Sequence, residues 1–410
     1  METLHVLPPF RPSFRRRSAL SSIAVVGTYL PRKCGIATFT SDLVNALTSV
    51  LPGGSVRAVA MNDVPHGYFY PPEVAVEIDQ HNAVDYSLAA ESLNQRSIDV
   101  VSIQHEFGIF GGIEGSYLTH LMSGLRMPVV TTLHTVLRNP SLPQRAVMRD
   151  LCGLTARLVV MTEMGKEFLH DIYDIPTAKI EVIPHGVPDT PFLEPGVFKL
   201  KLGFAGRKVV LTFGLLSPNK GIEVMLRAMP QVVREHPEVL YVVLGATHPH
   251  VRTPDGRSYG HQLRDLASQL QLHDNVVFHD RFVELEELCE FLGAADIYVT
   301  PYLNEDQIAS GTLSYALSTG KATISTPYWC AKEMLANRRG RLVPFGDSDA
   351  LAEEICDLLG DDAERQTLGR RSYDFSRRAV WREVGRRYLE VFQEVREERS
   401  LFALGAMPFA

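Results

Sequence analysis

The sequence contains no apolar run long enough to cross a membrane and no regular spacing of cysteines. Its 410 residues include no uninterrupted apolar stretch of about 18 residues, so no transmembrane helix is predicted. The five cysteines are odd in number and form no CxxC pair, which favours reduced thiols over a disulfide framework or a zinc site. These features predict a cytoplasmic protein.

A basic surface is also lacking, apart from the first residues. The net charge is −7, and because nucleic-acid binding needs a basic footprint, no nucleic-acid partner is expected. Residues 1–21 differ, since they carry four arginines without the apolar core of a signal peptide: Arg11, Arg15, Arg16 and Arg17. We interpret them as a disordered basic tail, which leaves open a weak contact with the inner membrane face.

Two nucleotide-binding fingerprints and a convincing metal cluster are missing as well. The stretch "GTYLPRKCGIATFTSDL" after the first apolar run matches neither GxGxxG nor GxxxxGK[ST], so a dinucleotide or P-loop site is unsupported. The only DxD motif, "DSD" at 347–349, directly precedes a helical pattern, and helix capping is its expected role. These residues therefore support neither a bound dinucleotide cofactor nor a metal site.

Short apolar runs alternate with amphipathic stretches along nearly the whole chain, which is the βαβ pattern of doubly wound parallel sheets. A first series of predicted strands lies at 22–27, 56–61, 99–104, 128–134, 157–162 and 180–186. After the Pro-rich stretch Pro184–Pro195, a second series follows at 208–214, 239–246, 275–280, 296–301 and 322–327. The fold class is therefore α/β, with two tandem Rossmann-like domains facing a cleft.

Four segments follow from this pattern. They are the tail 1–21, an N-terminal domain 22–190, a C-terminal domain 191–375 and a terminal helical segment 376–410. In the last segment Trp381, Val384, Tyr388 and Val391 recur at helical spacing, so one face of that helix is apolar. We expect this face to pack back across the cleft on the first domain, although packing on its own domain is the alternative.

Candidate ligand-binding residues follow the strands, since ligands of open parallel sheets bind outside the carboxyl ends of the strands. In the first half, Gly35 opens a helix whose amides favour an anion or a hydroxyl, and Thr38 or Thr40 as a simple helix cap is the alternative. Three histidines also stand at strand ends in this half, and we expect at least one of them to contact ligand: His105, His134 and His185.

The second half offers a cation and a second helix start. Lys220 precedes Gly221 at the mouth of a helix, where an ammonium beside amide donors suits phosphate oxygens, and His248 lies at the same rim. The stretch "PYLNEDQIASGTLSYALSTG" follows the strand at 296–301. It predicts a loop and then a helix whose start presents the amides and hydroxyls of Ser310, Gly311 and Thr312 opposite Lys220.

Taken together, several stretches resemble the family-4 retaining glycosyltransferases with the GT-B fold. They are "GIATFTSDLVNAL", "IPHGV", "GLLSPNKGIE", "LASQLQLHDNVVFHDRFVELEELCEFLGAADIYVTPYL", "ALSTGKATIST" and "DFSRRAVWREVGRRYLEVF", which cover essentially residues 22–395. The resemblance implies a nucleoside-diphosphate sugar held mainly by the second domain and an acceptor held by the first. It also implies transfer with retained anomeric configuration, no metal, and a last segment that returns to the first domain.

The resemblance also implies roles for individual residues. Gly35 and Ile36 match the glycine loop near acceptor and diphosphate, His134 the histidine near the donor sugar, and Lys220 the lysine on the diphosphate. We accordingly assign His134, Lys220, Glu305 and Gln307 to catalysis, and Ile36, His105 and Glu106 to the acceptor. Donor binding is assigned to Gly35, His248, Asp306, Ser310, Gly311, Thr312 and Tyr315.

Three positions depart from the family pattern. Leu215 stands where an arginine usually precedes the lysine. The family carries two glutamates eight residues apart, the first near the donor sugar and the second on the ribose. A count back from "ALSTG" places Gln307 at the first glutamate position and Tyr315 at the second. A count forward from "TPYL" places Glu305 at the first position instead. Glu305, Asp306 and Gln307 therefore remain candidates for one sugar-facing position, and Tyr315 cannot accept a ribose hydroxyl as a carboxylate does.

These features predict a hexosyltransferase that uses a nucleotide sugar and a carbohydrate or lipid-linked acceptor. A retaining phosphorylase that uses inorganic phosphate is the first alternative, and Leu215 and Tyr315 favour it mildly because it needs no nucleoside pocket. A non-catalytic sugar-binding homologue is the second alternative. A nucleotide-sugar epimerase ranks lower, since the acceptor side of the pattern is intact.

Overall fold

The first sheet has seven parallel strands. The computed structural model describes residues 20–192, 195–247 and 258–403. The strands are Ser22–Gly27 (β1), Ser55–Asn62 (β2), Val74–Asp79 (β3), Val100–His105 (β4), Val129–Leu133 (β5), Arg157–Val160 (β6) and Ile180–Val182 (β7), in the order β3-β2-β1-β4-β5-β6-β7. The helices between them are Gly35–Val50 (α1), Ala83–Gln95 (α2), Leu118–Gly124 (α3), Leu142–Leu154 (α4) and Glu163–Tyr173 (α5).

The second sheet has six parallel strands. They are Lys208–Phe213 (β8), Val239–Leu244 (β9), Val276–His279 (β10), Ile297–Thr300 (β11), Ala322–Ser325 (β12) and Arg341–Leu342 (β13), in the order β10-β9-β8-β11-β12-β13. Its helices are Gly196–Lys201 (α6), Ile222–Glu235 (α7), Tyr259–Gln269 (α8), Leu285–Ala294 (α9), Gly311–Ser318 (α10), Trp329–Met334 (α11), Ser348–Gly360 (α12) and Asp362–Ser376 (α13). The two-sheet α/β prediction is thereby confirmed.

Both sheets reverse their strand order at their first strand. β1 pairs with β2 on one side and β4 on the other, and β8 likewise lies between β9 and β11. The central strands are buried on both faces, as in β4, where every residue is buried. Because crevices form at such switch points, the carboxyl ends of β1 and β8 are where a ligand site is expected.

Two edge strands escaped the sequence prediction. β3 has the sequence VAVEID, in which charged residues interrupt the apolar run, and five of its six positions are only partly buried or exposed. β13 consists of two residues, Arg341 and Leu342. An edge strand is covered on fewer sides than a central one, so its sequence needs no continuous apolar run.

The segment between the sheets is short and is tied to the end of the chain. Val187 forms an isolated parallel bridge with Val380, and the Trp381 amide donates to the Val187 carbonyl oxygen (3.0 Å). The polypeptide passes from one sheet to the other between β7 and β8, so the predicted domain boundary at 190 and 191 lies in this passage. Its position stays a prediction.

The terminal helix Trp381–Ala403 (α14) returns to the first domain. Its apolar face packs into the same core as α1 and β1, through Val384, Tyr388, Val391, Phe392 and Val395. The Tyr388 hydroxyl is hydrogen-bonded to that of Thr132 on β5 (2.9 Å). A Cβ atom on Gly385 would lie 3.1 Å from the backbone of Ala46, so α14 and α1 are in close contact. The predicted return of the last helix is confirmed.

Among the helices in the described part of the chain, none combines the length and the apolar character needed to span a bilayer. The longest of them, α14, carries charged residues along its exposed face.

Truncating the buried contact of α14 should destabilise the protein strongly. We expect Tyr388→Ala to lower the free energy of unfolding by about 3–5 kcal/mol, because it removes a buried aromatic ring together with its hydrogen bond. Glu390→Ala, an exposed position on the same helix, should change it by less than about 0.5 kcal/mol. Urea unfolding followed by circular dichroism measures both, and equal losses would contradict the docking of this face.

Candidate functional site

A cavity of about 370 Å³ lies between the two domains at the carboxyl ends of the strands. Its first-domain wall consists of Leu30, Gly35, Thr38, Phe39 and Asp42, and His185 follows from the segment after β7. Its second-domain wall consists of Phe213, Gly214, Leu215, Lys220, Leu244, Gly245, Ala246, Arg281, Phe282, Val283, Glu284, Leu285, Leu288, Gly311, Thr312 and Tyr315. Lys220 and Gly311 therefore share one crevice.

Lys220 presents a free ammonium to this cavity. It ends the 3₁₀ turn that follows β8, and its Nζ atom lies 3.8 Å from the centroid of the Tyr302 ring. Within the described residues, no carboxylate is within ion-pair distance of it. Gly221 then begins α7 with φ of +64°, and a Cβ atom there would lie 1.9 Å from the Pro301 carbonyl oxygen. Only glycine fits, and the tight turn fixes the lysine at the start of α7.

The start of α10 is the second candidate for anion binding. Ser310 is its N-cap, and its hydroxyl accepts from the Leu313 amide (3.3 Å). The Thr312 hydroxyl is hydrogen-bonded to that of Tyr302 (3.0 Å). Tyr302 thus contacts both Lys220 and Thr312, and its buried ring stacks on Tyr328. The cation and the helix start are therefore held together by one rigid aromatic side chain.

On the opposite wall, α1 directs one face toward the cavity. Gly35, Thr38, Phe39 and Asp42 recur at the spacing of a single helix face. The N-cap is Cys34, whose sulfur accepts from the Ala37 amide (3.4 Å), so the alternative of a cap at Thr38 or Thr40 is wrong. Those two hydroxyls instead donate to backbone carbonyl oxygens one turn earlier. The starts of α1 and α10 thus border the same cavity.

His185 fills the gap between these two helices. Its ring lies edge-on to Phe39 (5.0 Å) and to Tyr315 (6.1 Å). Its Nδ1 atom is 2.8 Å from the Gly186 carbonyl oxygen, so Nδ1 carries the hydrogen and Nε2 is left as an acceptor. A Cβ atom on Gly311 would lie 2.8 Å from that Nε2. Burial lowers the pKa of His185 to about 4, so the ring is neutral at pH 7.

The two domains are joined across the cavity by a phenol and a carboxylate. The Tyr315 hydroxyl of α10 donates to Oδ2 of Asp42 on α1 (3.3 Å). Burial raises the pKa of Asp42 to about 6, and the hydrogen bond from Tyr315 offsets part of that rise. The pKa of Tyr315 is raised as well, by its own burial and by the neighbouring charge of Asp42.

The histidines at the ends of β4 and β5 lie deeper in the first domain. His105 is fully buried, and neither of its ring nitrogens has a hydrogen-bond partner among the described residues. Burial lowers its pKa to about 4. His134 is half-buried, its Nε2 is 3.1 Å from Oε1 of Gln104, and burial lowers its pKa to about 3, helped by His185 and His105. Neither is among the described residues that line the cavity, so their roles stay predictions.

The other acceptor-side candidates are occupied by local contacts. Oε1 of Glu106 accepts from the Phe107 amide (3.0 Å), and Oε2 accepts from the Thr135 hydroxyl. Burial raises the pKa of Glu106. Ile36 packs against the core of the first domain. Their assignment to the acceptor stays a prediction.

The loop before α10 is anchored at the domain interface. Ile308 is buried in the core of the first domain, and the Thr162 hydroxyl donates to its carbonyl oxygen (3.2 Å). Glu305 and Asp306 are exposed, and Nε2 of Gln307 donates to the carbonyl oxygen two residues later (3.1 Å). None of these three polar residues is among the described residues lining the cavity, so the sugar-facing role stays a prediction.

Of the remaining candidate site residues, the structure describes only some. His248 lies outside the described residues. Asp347 is the N-cap of α12 and accepts from the Ala350 amide (2.9 Å), so the capping role expected for the "DSD" motif is confirmed. Within the described ranges, no group of three or more His, Cys, Asp or Glu side chains could hold a metal ion.

Sequence reasoning missed three features of this site: Asp42, Tyr302 and the segment 282–285 at one end of the cavity. Asp42 lies seven residues after Gly35, which is two helical turns, so helix periodicity alone places both on one face. Tyr302 sits inside the loop that had been identified, but only the fold brings its ring to Lys220. The segment 282–285, three apolar residues and Glu284, has no distinctive motif of its own.

Burial of the Asp42 carboxylate should cost stability near neutral pH. Because its folded pKa is raised from 3.8 to about 6, the unfolded chain loses this proton first, and stability falls as pH rises from about 4 to about 6. We expect Asp42→Asn to remove this pH-dependent loss of stability. Above pH 6 the free energy of unfolding of the variant should exceed that of wild type by up to about 3 kcal/mol. Thermal unfolding of both proteins between pH 4.5 and 8 measures the difference, and a pH-independent difference would contradict the shifted pKa.

Two sequence families match the chain, one in each domain. The model of the family described as "Glycosyltransferase Family 4" matches residues 35–190, and that described as "Glycosyl transferases group 1" matches residues 207–361. The alpha-monoglucosyldiacylglycerol synthase of Streptococcus pneumoniae is 26% identical over 330 residues, which are 74% of this chain and 69% of that protein.

Solved structures share the whole architecture at low identity. Sucrose-phosphate synthase from Thermosynechococcus elongatus superposes with a TM-score of 0.74 and 17% identity, over 94% of this chain and 100% of that one. HepE of Anabaena, in complex with UDP and glucose, superposes with a TM-score of 0.72 and 14% identity, over 91% and 100%. With two parallel sheets, a cavity between them and a family match in each domain, the chain belongs to the group 1 and family 4 glycosyltransferases with the GT-B fold.

Proposed function

We propose that this glycosyltransferase moves a hexosyl group from a nucleoside-diphosphate sugar to a carbohydrate or lipid-linked acceptor, with retention and without a metal. The observation that carries the proposal is the pairing of Lys220 with the start of α10 in the interdomain cavity. An unpaired ammonium and free helix amides are suited to a diphosphate. The apolar side chains of Phe282, Val283 and Leu285 in the same cavity wall suit a nucleobase.

The same groups would assist the chemistry. As the bond between sugar and diphosphate breaks, the leaving oxygen gains negative charge and the sugar gains oxocarbenium character. Lys220 and the amides of Gly311 and Thr312 stabilise that charge without reorganising, since their positions are fixed by Tyr302 and by the helix. The acceptor hydroxyl attacks from the same face as the leaving group, and the departing phosphate oxygen takes its proton.

The acceptor class rests on the relatives. The name of the Streptococcus relative specifies a glycosylated diacylglycerol, and the structural neighbours include a sucrose-phosphate synthase, so lipid-linked and carbohydrate acceptors both occur among similar proteins. We place the reaction in the cytoplasm, because none of the five cysteines is paired with another. We also propose that the basic residues 1–21 are weakly attracted to the inner membrane face.

A retaining phosphorylase is the second candidate, and one observation favours it. Leu215, which replaces the family arginine, lines the cavity and adds no charge there. A smaller anion such as inorganic phosphate would need fewer cations. Incubation with nucleotide sugars on the one hand and with sugar 1-phosphates on the other, with release of nucleoside diphosphate or phosphate measured, separates the two reactions. The proposal expects only nucleotide sugars to be consumed.

Removal of the Lys220 ammonium should strongly slow the reaction of the nucleotide-sugar donor. We expect Lys220→Ala to lower kcat/KM for a nucleotide sugar by about 100- to 1,000-fold, because one charge-stabilising donor in such a site contributes on that scale. Nucleoside diphosphate release, as transfer or as slow hydrolysis, measures the effect. Lys332→Ala, an exposed lysine of the same domain, is the matched control and should retain wild-type rates.

Two outcomes would contradict the proposal. Full activity of Lys220→Ala would place the diphosphate elsewhere. Absence of any turnover by the folded wild-type protein across nucleotide sugars and acceptors would favour the non-catalytic homologue instead.

A further inference from the structure

Asp42 occupies an unusual position for a carboxylate. It lies two turns into α1, on the face that lines the cavity, and it is partly buried. A carboxylate has two oxygens with about four acceptor sites. Within the described residues, two side-chain donors face it: the Tyr315 hydroxyl, which donates to Oδ2, and the indole N–H of Trp381. Part of its acceptor capacity is therefore unused in a cavity wall where burial disfavours its charge.

The position of Asp42 relative to the anion-binding start of α10 narrows what it could bind. Tyr315, its partner, follows Gly311 by four residues on the same helix, so it stands about 6 Å along the axis from the helix start. Asp42, Tyr315 and the start of α10 line the same cavity, so a ligand with a phosphate at these amides can present another group to Asp42. In a nucleoside diphosphate that group is the ribose, whose hydroxyls can donate hydrogen bonds to a carboxylate.

We propose that Asp42 of the first domain is the carboxylate that accepts hydrogen bonds from the ribose hydroxyls of the donor nucleotide. The inference rests on the proposed function, since it needs a nucleoside diphosphate in the cavity. The contact with the ribose hydroxyls is thereby assigned to α1. Tyr315 on α10 is a phenol and cannot accept these hydroxyls as a carboxylate does. The nucleotide would then be bound by both domains, with phosphates on the second and ribose on the first.

Another carboxylate in the described part of the cavity wall is Glu284, and its position argues against the same role. It is exposed and stands at the start of α9, where no hydrogen bond joins it to Tyr315 within the described residues. A carboxylate at a helix start is also stabilised by that helix, so its position needs no ligand. Glu284 is therefore the matched control for Asp42.

A structural role for Asp42, as a tie between the domains, is the competing explanation. The hydrogen bond of 3.3 Å from Tyr315 is long for a charged acceptor. Burial opposes the charge of Asp42, and a neutral asparagine could accept the same hydrogen bond at a lower desolvation cost. The structural tie alone therefore gives no reason for a carboxylate at this position, whereas binding two hydroxyl donors does.

The test is a cycle in which the protein and the ligand are altered in turn. UDP, ADP and GDP are titrated calorimetrically into the wild-type protein at pH 7.5, and the one that binds is compared with its 2′-deoxy and 3′-deoxy analogues. The same titrations are repeated with Asp42→Asn and with Glu284→Gln. Asp42→Asn removes the charge at constant size, so the fold is retained, and unfolding curves verify this.

If Asp42 binds the ribose, Asp42→Asn and at least one deoxy analogue should each weaken binding by about 10- to 100-fold, as expected for a hydrogen bond to a charged group. The two losses should not add, so the variant distinguishes the nucleotide from its deoxy analogue by less than about threefold. Glu284→Gln should keep the full wild-type discrimination. In the Asp42→Asn background, Tyr315→Glu should restore part of the discrimination, because it returns a carboxylate to this point from α10.

Three results would overturn the inference, and they are distinguishable. If wild type binds a nucleoside diphosphate but Asp42→Asn keeps full sensitivity to the deoxy analogues, the assignment of Asp42 is wrong while the proposed function stands. Loss of that sensitivity in Glu284→Gln instead would move the ribose to the other end of the cavity. If the folded wild type binds none of the three nucleotides, the proposed function itself fails, and the assignment fails with it.

Discussion

An excess of hydrogen-bond donors in one interdomain cavity is the constraint on which the structure depends. Lys220 has no ion-pair partner among the described residues, and the first amides of α10 have no acceptor within their own helix. Tyr302 keeps the two close together, through its ring and its hydroxyl. Unsatisfied donors that are held rigidly in a partly dry crevice favour an anion, and the topology of the second sheet puts them at its switch point.

Several separate contacts hold the first domain against the second around this site. His185 packs between Phe39 and Tyr315, and Tyr315 donates to Asp42. On the far side, the carboxylate of Glu333 on α11 accepts from the first amides of α5, at 3.1 and 3.3 Å. α14 then ties the end of the chain to the first core.

The sequence predicted the elements that long apolar runs specify and the residues that precede or follow them. The central strands, the return of α14, and the sharing of one crevice by Lys220 and Gly311 follow from such local patterns. The edge strands β3 and β13 were not predicted, because an edge strand needs no continuous apolar run. Asp42 and Tyr302 were not predicted to belong to the site, because their positions in it arise from tertiary contacts. The loop from Glu305 to Gln307 is set by the insertion of Ile308 into the first core, which its own sequence does not specify.

The most direct measurement of the central claim is a crystal structure of the protein with a bound nucleoside diphosphate. The account predicts that the terminal phosphate lies in the cavity, with its oxygens within about 3.2 Å of Lys220 Nζ and of the amides at the start of α10. A nucleotide bound with its phosphates on another surface, and with Lys220 still stacked on Tyr302 and free of any anion, would contradict it.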